Sequence, residues 1–142
     1  GPMSDQSNAF SSDDIISWRK SGVLDSVEEH TNMVSFYKNI SIAVLPTISE
    51  GLPAVAMEAQ SSGIPMILND IEQNERAISD GKTGYRVNDN EISTYANHII
   101  ELLTNKEKFI ELSENCRDFA EDNFDNVKTN KEILDFINDD LT

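Results

Sequence analysis

Two glutamates separated by seven residues, Glu50 and Glu58, enclose a short segment whose residue types suit the binding of a phosphate. Gly51 lets the backbone approach a ligand closely, because glycine has no side chain. Pro53 suits the first turn of a helix, where the N–H that proline lacks would have no partner in any case. The amides around Gly51 and Leu52 would then point out of the helix start, beside the positive end of its dipole. We therefore expect an anion site here that is suited to a pyrophosphate.

The two carboxylates could also recognise hydroxyl groups. Glu58, about one and a half turns into the helix, could accept hydrogen bonds from both hydroxyls of a ribose, as acidic residues do in dinucleotide-binding folds. Glu50 could do the same for a sugar. The alternative is that each glutamate only interacts with the helix dipole or with solvent, and the pair by itself leaves both interpretations open. The residues expected on the core face of this helix are Leu52, Val55, Ala56 and Ala59.

Other reactive side chains are interpreted as structural. His30 and His98 are far apart in the sequence, and His98 is expected to face no partner, so neither a metal site nor a catalytic triad is predicted. Cys116 lies on the apolar face of a helix and is expected to be a small core residue. Trp18 could stack on a sugar or base, but packing is the expected role.

Strands and helices that alternate along the chain must position the segment between Glu50 and Glu58. The best strand candidate, residues 40–45, ends at Pro46, and further strands are predicted at 66–68, at 85–87 and, briefly, at 23–24. Short helices are predicted around residues 15–18, 33–37 and 72–78, and another starts near Pro53. Residues 80–84 are expected to form a turn.

The last third of the chain is predicted to be helical. One apolar face recurs at helical spacing in Ile92, Tyr95, Ala96, Ile99, Ile100 and Leu103. A second helix, capped by Asn105, has its apolar face at Phe109, Leu112, Cys116, Phe119 and Ala120. A weaker third face consists of Val127, Leu134 and Ile137. The expected fold class is α/β, a Rossmann-like three-layer half-domain with a small parallel sheet flanked by helices.

Length, charge and cysteine content limit the function classes. A chain of 142 residues is enough for one domain, in which we interpret residues 1–13 as a tag scar with a flexible lead-in and residues 14–142 as the domain. The net charge of −15 and the lack of a basic stripe in the sequence argue against nucleic acid as a partner. A single cysteine and the lack of a membrane-spanning run indicate a cytoplasmic protein.

Residues 44–53, together with Glu58-Ala59 and residues 62–65, resemble the signature of the family-4 retaining glycosyltransferases, which contain two glutamates at this spacing. The stretch from Asp70 to Tyr85 is similar to the continuation of that signature, and Phe124 followed by a last helix is similar to its ending. The resemblance covers about residues 14–138. This chain departs from the signature at Thr47, where the family usually has serine, and at Glu72 and Gln73, where a glycine is common.

The resemblance implies the GT-B fold and the role of each candidate site residue. Glu58 would bind the ribose of a nucleotide-diphosphate sugar, and Glu50 would lie against the transferred sugar as the catalytic residue. Gly51, Leu52 and Pro53 would line the sugar and diphosphate, with Pro53 offering no N–H. The family implies retention of anomeric configuration, no bound metal and no cofactor, and transfer to a glycan or cell-envelope acceptor.

The resemblance also implies what this chain lacks. The acceptor-binding N-terminal domain has no counterpart here, and neither has the first half of the donor domain, which carries the paired Arg and Lys that neutralise the donor diphosphate. We therefore expect a partial nucleotide-sugar-binding domain that is inactive alone. Its expected partners are a nucleotide sugar, the missing half or a full-length enzyme, and a second copy through edge or helix exchange. The full enzyme would be cytoplasmic or peripheral to the inner face of the membrane, touching it only through the acceptor.

Two other classes of function remain open at this point. The domain could be a non-catalytic interaction or regulatory module derived from such an enzyme. A flavodoxin-like regulatory domain is disfavoured, because no acidic metal cluster follows the first strand.

Overall fold

The computed structural model describes residues 11–24, 32–47, 54–88 and 91–139. Contacts divide the chain into two units, residues 1–33 and 34–142. No helix in the described ranges is long and apolar enough to cross a membrane.

The first unit contains helix α1 (Ser12–Lys20). A reciprocal capping box starts it: the Ser11 side chain accepts from the Asp14 amide, and the Asp14 carboxylate accepts from the Ser11 amide at 2.9 Å. These hydrogen bonds also lower the pKa of Asp14. Because α1 begins at Ser12, the helix includes two residues that the sequence interpretation assigned to the lead-in.

The prediction of a strand at residues 23–24 is wrong. Gly22 adopts a positive φ of 74° directly after α1. The amides of Val23 and Leu24 both donate to the carbonyl of Trp18, at 3.0 and 3.1 Å. Those bonds close the end of the helix, so the two amides cannot join a sheet.

The second unit contains the sheet and most of the helices. The boundary between the units falls after Met33, the first residue of α2. In chain order the elements from this boundary onward are α2 (Met33–Tyr37), β1 (Ala43–Leu45), α3 (Ala54–Ser61), β2 (Met66–Asn69), a 3₁₀ turn (Glu72–Asn74), β3 (Gly84–Val87), α4 (Ile92–Thr104), α5 (Lys106–Asn123) and α6 (Asn126–Asp139).

The sheet is parallel in the order β1-β2-β3, with Val44 beside Ile67 and Ile67 beside Tyr85. All four residues of β2 are buried. Because successive side chains of a strand point to opposite faces, both faces of the central strand are covered. The expected α/β class, with a small parallel sheet flanked by helices, is confirmed.

Helix α3 packs against α5 through small side chains. It buries Ala56, Ala59 and Gln60, which share one side of the helix, whereas Val55 is 43% exposed. The expected core position of Val55 is therefore wrong, because the buried side is centred where small residues let α5 come close. At the end of α3, the Ser113 hydroxyl of α5 donates to the carbonyl of Gly63 at 2.6 Å.

The segment between β2 and β3 is less helical than expected. The helix predicted at residues 72–78 is reduced to the 3₁₀ turn, which the Asn74 side chain holds by donating to the Asn69 carbonyl at 2.8 Å. The turn predicted at residues 80–84 is present, with the Gly81 amide donating to the Gly84 carbonyl at 2.8 Å.

The C-terminal helices are confirmed. Asn105 caps α5 as predicted, since its side chain accepts from the Lys108 amide at 3.0 Å. Helices α4 and α5 contribute to the core cluster beside the sheet, which consists of Ile67, Val87, Tyr95, Leu102 and Leu112.

Candidate functional site

Glu58 lies on α3 with its side chain exposed, and a buried tyrosine holds it in place. The hydroxyl of Tyr37, on α2, donates to Oε2 of Glu58 at 3.0 Å. Tyr37 is only 7% exposed. Its burial, followed by the hydrogen bond to Glu58 and the negative charge there, raises the pKa of Tyr37 to about 12. At neutral pH Tyr37 is therefore a neutral donor that orients the carboxylate.

This arrangement leaves part of the Glu58 carboxylate available. A carboxylate has about four acceptor sites on its two oxygens, and Tyr37 uses one of them. The remaining sites can accept hydrogen bonds from hydroxyl groups, as a vicinal diol requires. Tyr37 is the residue that sequence analysis missed, because it is 21 positions from its partner.

Glu50, Gly51, Leu52 and Pro53 lie outside the described residues. Their predicted roles, and the predicted approach of Glu50 to Glu58, stay predictions. The described chain resumes at Ala54, where α3 begins. A strand and then a helix are therefore present on either side of the undescribed residues, as the sequence predicted.

Buried amides form a second polar group at the carboxyl end of β2. Asn69 is 5% exposed, and its side-chain oxygen accepts a hydrogen bond from the Tyr95 hydroxyl of α4. Its backbone carbonyl accepts from the Asn74 side chain. These contacts fix the position of the strand end relative to α4. The only hint of this polar group in the sequence was that the apolar run of β2 ends in an asparagine, Asn69.

The positive charge of Arg86 on β3 is neutralised locally. Its Nη1 atom lies 3.3 Å from the carboxylate of Asp70 and 3.9 Å from that of Glu75. The Arg86 amide also donates to Asp80 at 2.8 Å. An arginine whose guanidinium lies beside two carboxylates supplies little net positive charge to a bound diphosphate.

Comparison with known proteins identifies the family. Residues 18–122 match the family described as Glycosyl transferases group 1. The chain belongs to this family. It is 32% identical over 98 residues to the UDP-Gal:alpha-D-GlcNAc-diphosphoundecaprenol alpha-1,3-galactosyltransferase of Escherichia coli, a match that covers 69% of this chain and 25% of the relative.

A second relative is the D-inositol 3-phosphate glycosyltransferase of Paenarthrobacter aurescens (strain TC1). It is 34% identical over 70 residues, which are 49% of this chain and 17% of the relative. The group 1 chain thus spans about a quarter or less of the length of these curated relatives.

Solved structures share the fold. The pneumococcal O-GlcNAc transferase GtfA, determined in complex with UDP and GlcNAc, superposes with a TM-score of 0.70 at 23% identity, over 89% of this chain and 26% of that chain. The C-terminal domain of the group 1 protein LpcC from Francisella tularensis gives a TM-score of 0.65 at 18% identity, over 78% of this chain and 60% of that chain. These likenesses show the GT-B type of fold.

In this group 1 domain, His98 has neighbours that sequence analysis did not expect. Its ring stacks on Tyr85 with centroids 4.0 Å apart and planes 13° from parallel, and its Nδ1 lies 3.6 Å from Glu101. The expectation that His98 faces no partner is wrong, because α4 lies against β3, where Tyr85 projects. Burial, and then the negative charge of Glu101 among nearby carboxylates, raises the pKa of Tyr85 to about 12.

Cys116 is a core residue of the group 1 domain, as predicted. It is fully buried, and its thiol donates to the Thr83 carbonyl at 3.2 Å. Burial raises the pKa of Cys116 to about 12, so the thiol does not ionise near neutral pH and is a poor nucleophile. Trp18 is half-buried in α1, and His30 lies outside the described residues.

Proposed function

We propose that this chain is the donor-binding part of a GT-B glycosyltransferase, in which Glu58 binds the ribose hydroxyls of a nucleotide-diphosphate sugar. The observation that carries the proposal is the exposed carboxylate held from behind by the Tyr37 hydroxyl, on a helix that follows a parallel strand. A diol needs an acceptor that is fixed and open to solvent, and Glu58 has both properties.

The rest of the donor would lie along the loop before α3. In this proposal Glu50 contacts the transferred sugar as the catalytic residue, and Gly51, Leu52 and Pro53 line the sugar and diphosphate. The resemblance to family-4 enzymes supports transfer with retention, without a metal or cofactor. The UDP named in the GtfA complex supports a ribonucleotide donor.

The acceptor would be a glycan or a cell-envelope lipid carrier. The Escherichia coli relative is named for a sugar linked to diphosphoundecaprenol, which supports an acceptor at the membrane surface. The chain itself would then meet the membrane only through that acceptor.

Catalysis would require a second part that supplies positive charge. A departing diphosphate needs cations for stabilisation in the transition state. Among the described residues, Arg86 is already paired with Asp70 and Glu75, and the whole chain carries a net charge of −15. The proposed partner is therefore the N-terminal half of such an enzyme, in which the first part of the donor domain brings the basic residues, and the 142-residue chain alone is expected to show no sugar transfer.

Nucleotide binding by the purified chain tests the donor site. Ligand-observed NMR should detect UDP and other ribonucleoside diphosphates with dissociation constants on the order of 1 mM, about 4 kcal/mol of binding free energy. Glu58→Ala should weaken this binding at least about tenfold, because it removes charge-assisted hydrogen bonds. The 2′-deoxy nucleotides should be nearly unaffected by the same change.

Two further variants separate a site from a structural role. Glu114→Ala, which removes another exposed glutamate, should leave binding unchanged. Tyr37→Phe should cost about 1 kcal/mol of stability and should also weaken ribonucleotides more than 2′-deoxy nucleotides. Equal effects of Glu58→Ala on both nucleotide types would refute the role of Glu58. No binding of any nucleotide would favour the non-catalytic module instead.

A further inference from the structure

Arg86 holds two carboxylates of the segment that connects β2 and β3. Its Nη1 atom lies 3.3 Å from the carboxylate of Asp70, directly after β2, and 3.9 Å from that of Glu75, directly after the 3₁₀ turn. The Asp70 amide also donates to the carbonyl of Val87 at 2.9 Å. The Arg86 side chain is 26% exposed, whereas the two acidic side chains are 42% and 66% exposed. The carboxylates therefore lie on the solvent side of a half-buried cation.

These carboxylates lie at the edge of the sheet where the loop of the proposed donor site begins. Leu45, the last residue of β1, lies beside Leu68, and β2 ends one residue before Asp70. Because the three strands are parallel, their carboxyl ends share one edge of the sheet, which is where ligands bind in open α/β sheets. The loop that leads to residues 50–53 starts at Pro46, at this same edge. The carboxylates of the β2–β3 connection are therefore neighbours of that loop.

Arg86 also points to the face of the sheet that carries α3. Tyr85 stacks on His98 of α4, and the next residue of a strand points to the opposite face. The connections from β1 to β2 and from β2 to β3 join neighbouring parallel strands in the same direction across the sheet, so right-handed crossovers place both on one face. Helix α3, with Glu58, belongs to the first connection, and residues 70–75 belong to the second. Arg86 and Glu58 therefore lie on the same face of the sheet.

A diphosphate that enters at this edge meets negative charge from the protein. The chain has 26 acidic and 11 basic residues. Charges within a Debye length, about 8 Å at physiological ionic strength, are screened only in part, so bare carboxylates of Asp70 and Glu75 would repel a phosphate bound nearby. Arg86 offsets that repulsion, because its guanidinium lies beside both carboxylates. Its benefit to an anionic ligand therefore comes from the charge that it cancels, without a direct contact.

We propose that Arg86 is a positioning residue of the donor site, which neutralises Asp70 and Glu75 so that the diphosphate of a nucleotide sugar can bind beside them. The role rests on the donor site proposed for this chain, but it concerns a different part of the ligand. Glu58 recognises the ribose, whereas Arg86 acts on the phosphates through the two carboxylates. Removal of the Arg86 charge therefore weakens a ligand that carries phosphates and leaves its phosphate-free analogue unchanged.

Binding of UDP and of uridine, which has the same base and ribose but no phosphate, tests this role by ligand-observed NMR on the full chain. At low salt, Arg86→Gln should weaken UDP about fivefold and uridine less than about twofold. The difference should shrink at about 0.5 M salt, and Arg86→Lys should keep most of the UDP affinity. The matched control is Arg117→Gln, since Arg117 pairs with Glu121 at 3.5 Å and lies near Ser61, at the far end of α3. It should leave both ligands unchanged.

Removal of a carboxylate separates this indirect role from a direct contact or a purely structural one. Asp70→Asn alone should strengthen UDP binding about threefold, because less of the Arg86 charge is then compensated. The double variant Arg86→Gln with Asp70→Asn should bind UDP within about twofold of the unmodified chain. A double variant as weak as Arg86→Gln, or equal losses of UDP and uridine in Arg86→Gln, would overturn the proposal while leaving the donor site in place. If the unmodified chain binds neither ligand, the donor site itself is refuted, and the role of Arg86 with it.

Discussion

Helices α4 and α5 follow each other in the chain and have the same kind of apolar pattern, but they differ in how much of it is covered. On α5, which packs against α3 and α4, Leu112 and Cys116 are fully buried and Ala120 is 4% exposed. On α4, Ile92 and Leu103 remain exposed. The comparison shows that periodicity predicts the helix, while the neighbouring elements decide whether its apolar side is buried.

Hydrogen bonds reinforce the difference. Helix α5 donates from Ser113 to the Gly63 carbonyl, from Asn115 to the Lys82 carbonyl and from Cys116 to a carbonyl next to β3. These bonds fix α5 to the loops that lead into β2 and β3. The side of the domain that α5 closes should therefore tolerate substitution poorly, and the exposed side of α4, with Ile92 and Leu103, should tolerate it well.

The largest effect is expected at Gly84, where β3 approaches β2 on the closed side. A Cβ at this position would lie 2.9 Å from two backbone atoms of Met66 and closer still to its carbonyl oxygen. Gly84→Ala should therefore cost at least about 4 kcal/mol or prevent folding. Gly81→Ala is the control, since open space surrounds Gly81 and its positive φ costs only about 1–2 kcal/mol. Urea unfolding or soluble yield measures both, and similar losses would contradict the close approach.

Alkaline pH should have the next largest effect on the stability of the domain. The pKa values of Cys116 and Tyr85 are raised from 9 and 10 to about 12 in the folded chain, as is that of Tyr37. The folded state therefore holds protons that the unfolded state releases, so this stabilisation is complete below pH 9 and is lost as the pH rises to 12. The free energy of unfolding, measured by urea titration from neutral pH upward, should fall in this window. Cys116→Ala should reduce the slope, and an unchanged slope would show that the thiol does not contribute.

Truncation of the α5 core side chain should have a smaller but still large effect. Leu112→Ala removes a fully buried side chain from the main core cluster and should cost about 3 kcal/mol, through lost burial and a residual cavity. Thermal or urea unfolding measures it. A loss below about 1 kcal/mol would mean that α5 is less tightly packed than its burial indicates.

The smallest effect is expected for the same substitution on α4. Leu103 is 64% exposed, so Leu103→Ala should change the free energy of unfolding of the monomer by no more than about 0.5 kcal/mol. The measurement belongs at low protein concentration, so that any association between chains does not contribute. A cost close to that of Leu112→Ala would show that Leu103 is covered within a single chain, and the comparison of the two helices would fail.

Part of the site was accessible from sequence because its signals are local. The order of strand, loop and helix around residues 44–58 depends on a β-branched run, a proline that ends it and helix-forming residues afterwards. The exposed position of Glu58 followed from the same pattern. Its partner Tyr37 did not, since a hydrogen bond between two helices depends on how they pack beside β1.

The errors have a common cause. Val23 and Leu24 have strand-forming side chains, but Gly22 allowed their amides to close the end of α1. Val55 was placed in the core because it is large and apolar, yet α5 packs where α3 has Ala56 and Ala59. In each case a local preference was overruled by a hydrogen bond or a close contact with another segment.

The sequence by itself determined most of the element types, the parallel α/β class and the resemblance that led to the group 1 family, because side-chain periodicity and the turn residues act over a few positions. Only the tertiary structure decided that Tyr37 orients Glu58, that carboxylates neutralise Arg86, and that α5 is covered while one side of α4 is not. Those features depend on distances between residues far apart in the chain, and packing of the whole domain sets those distances.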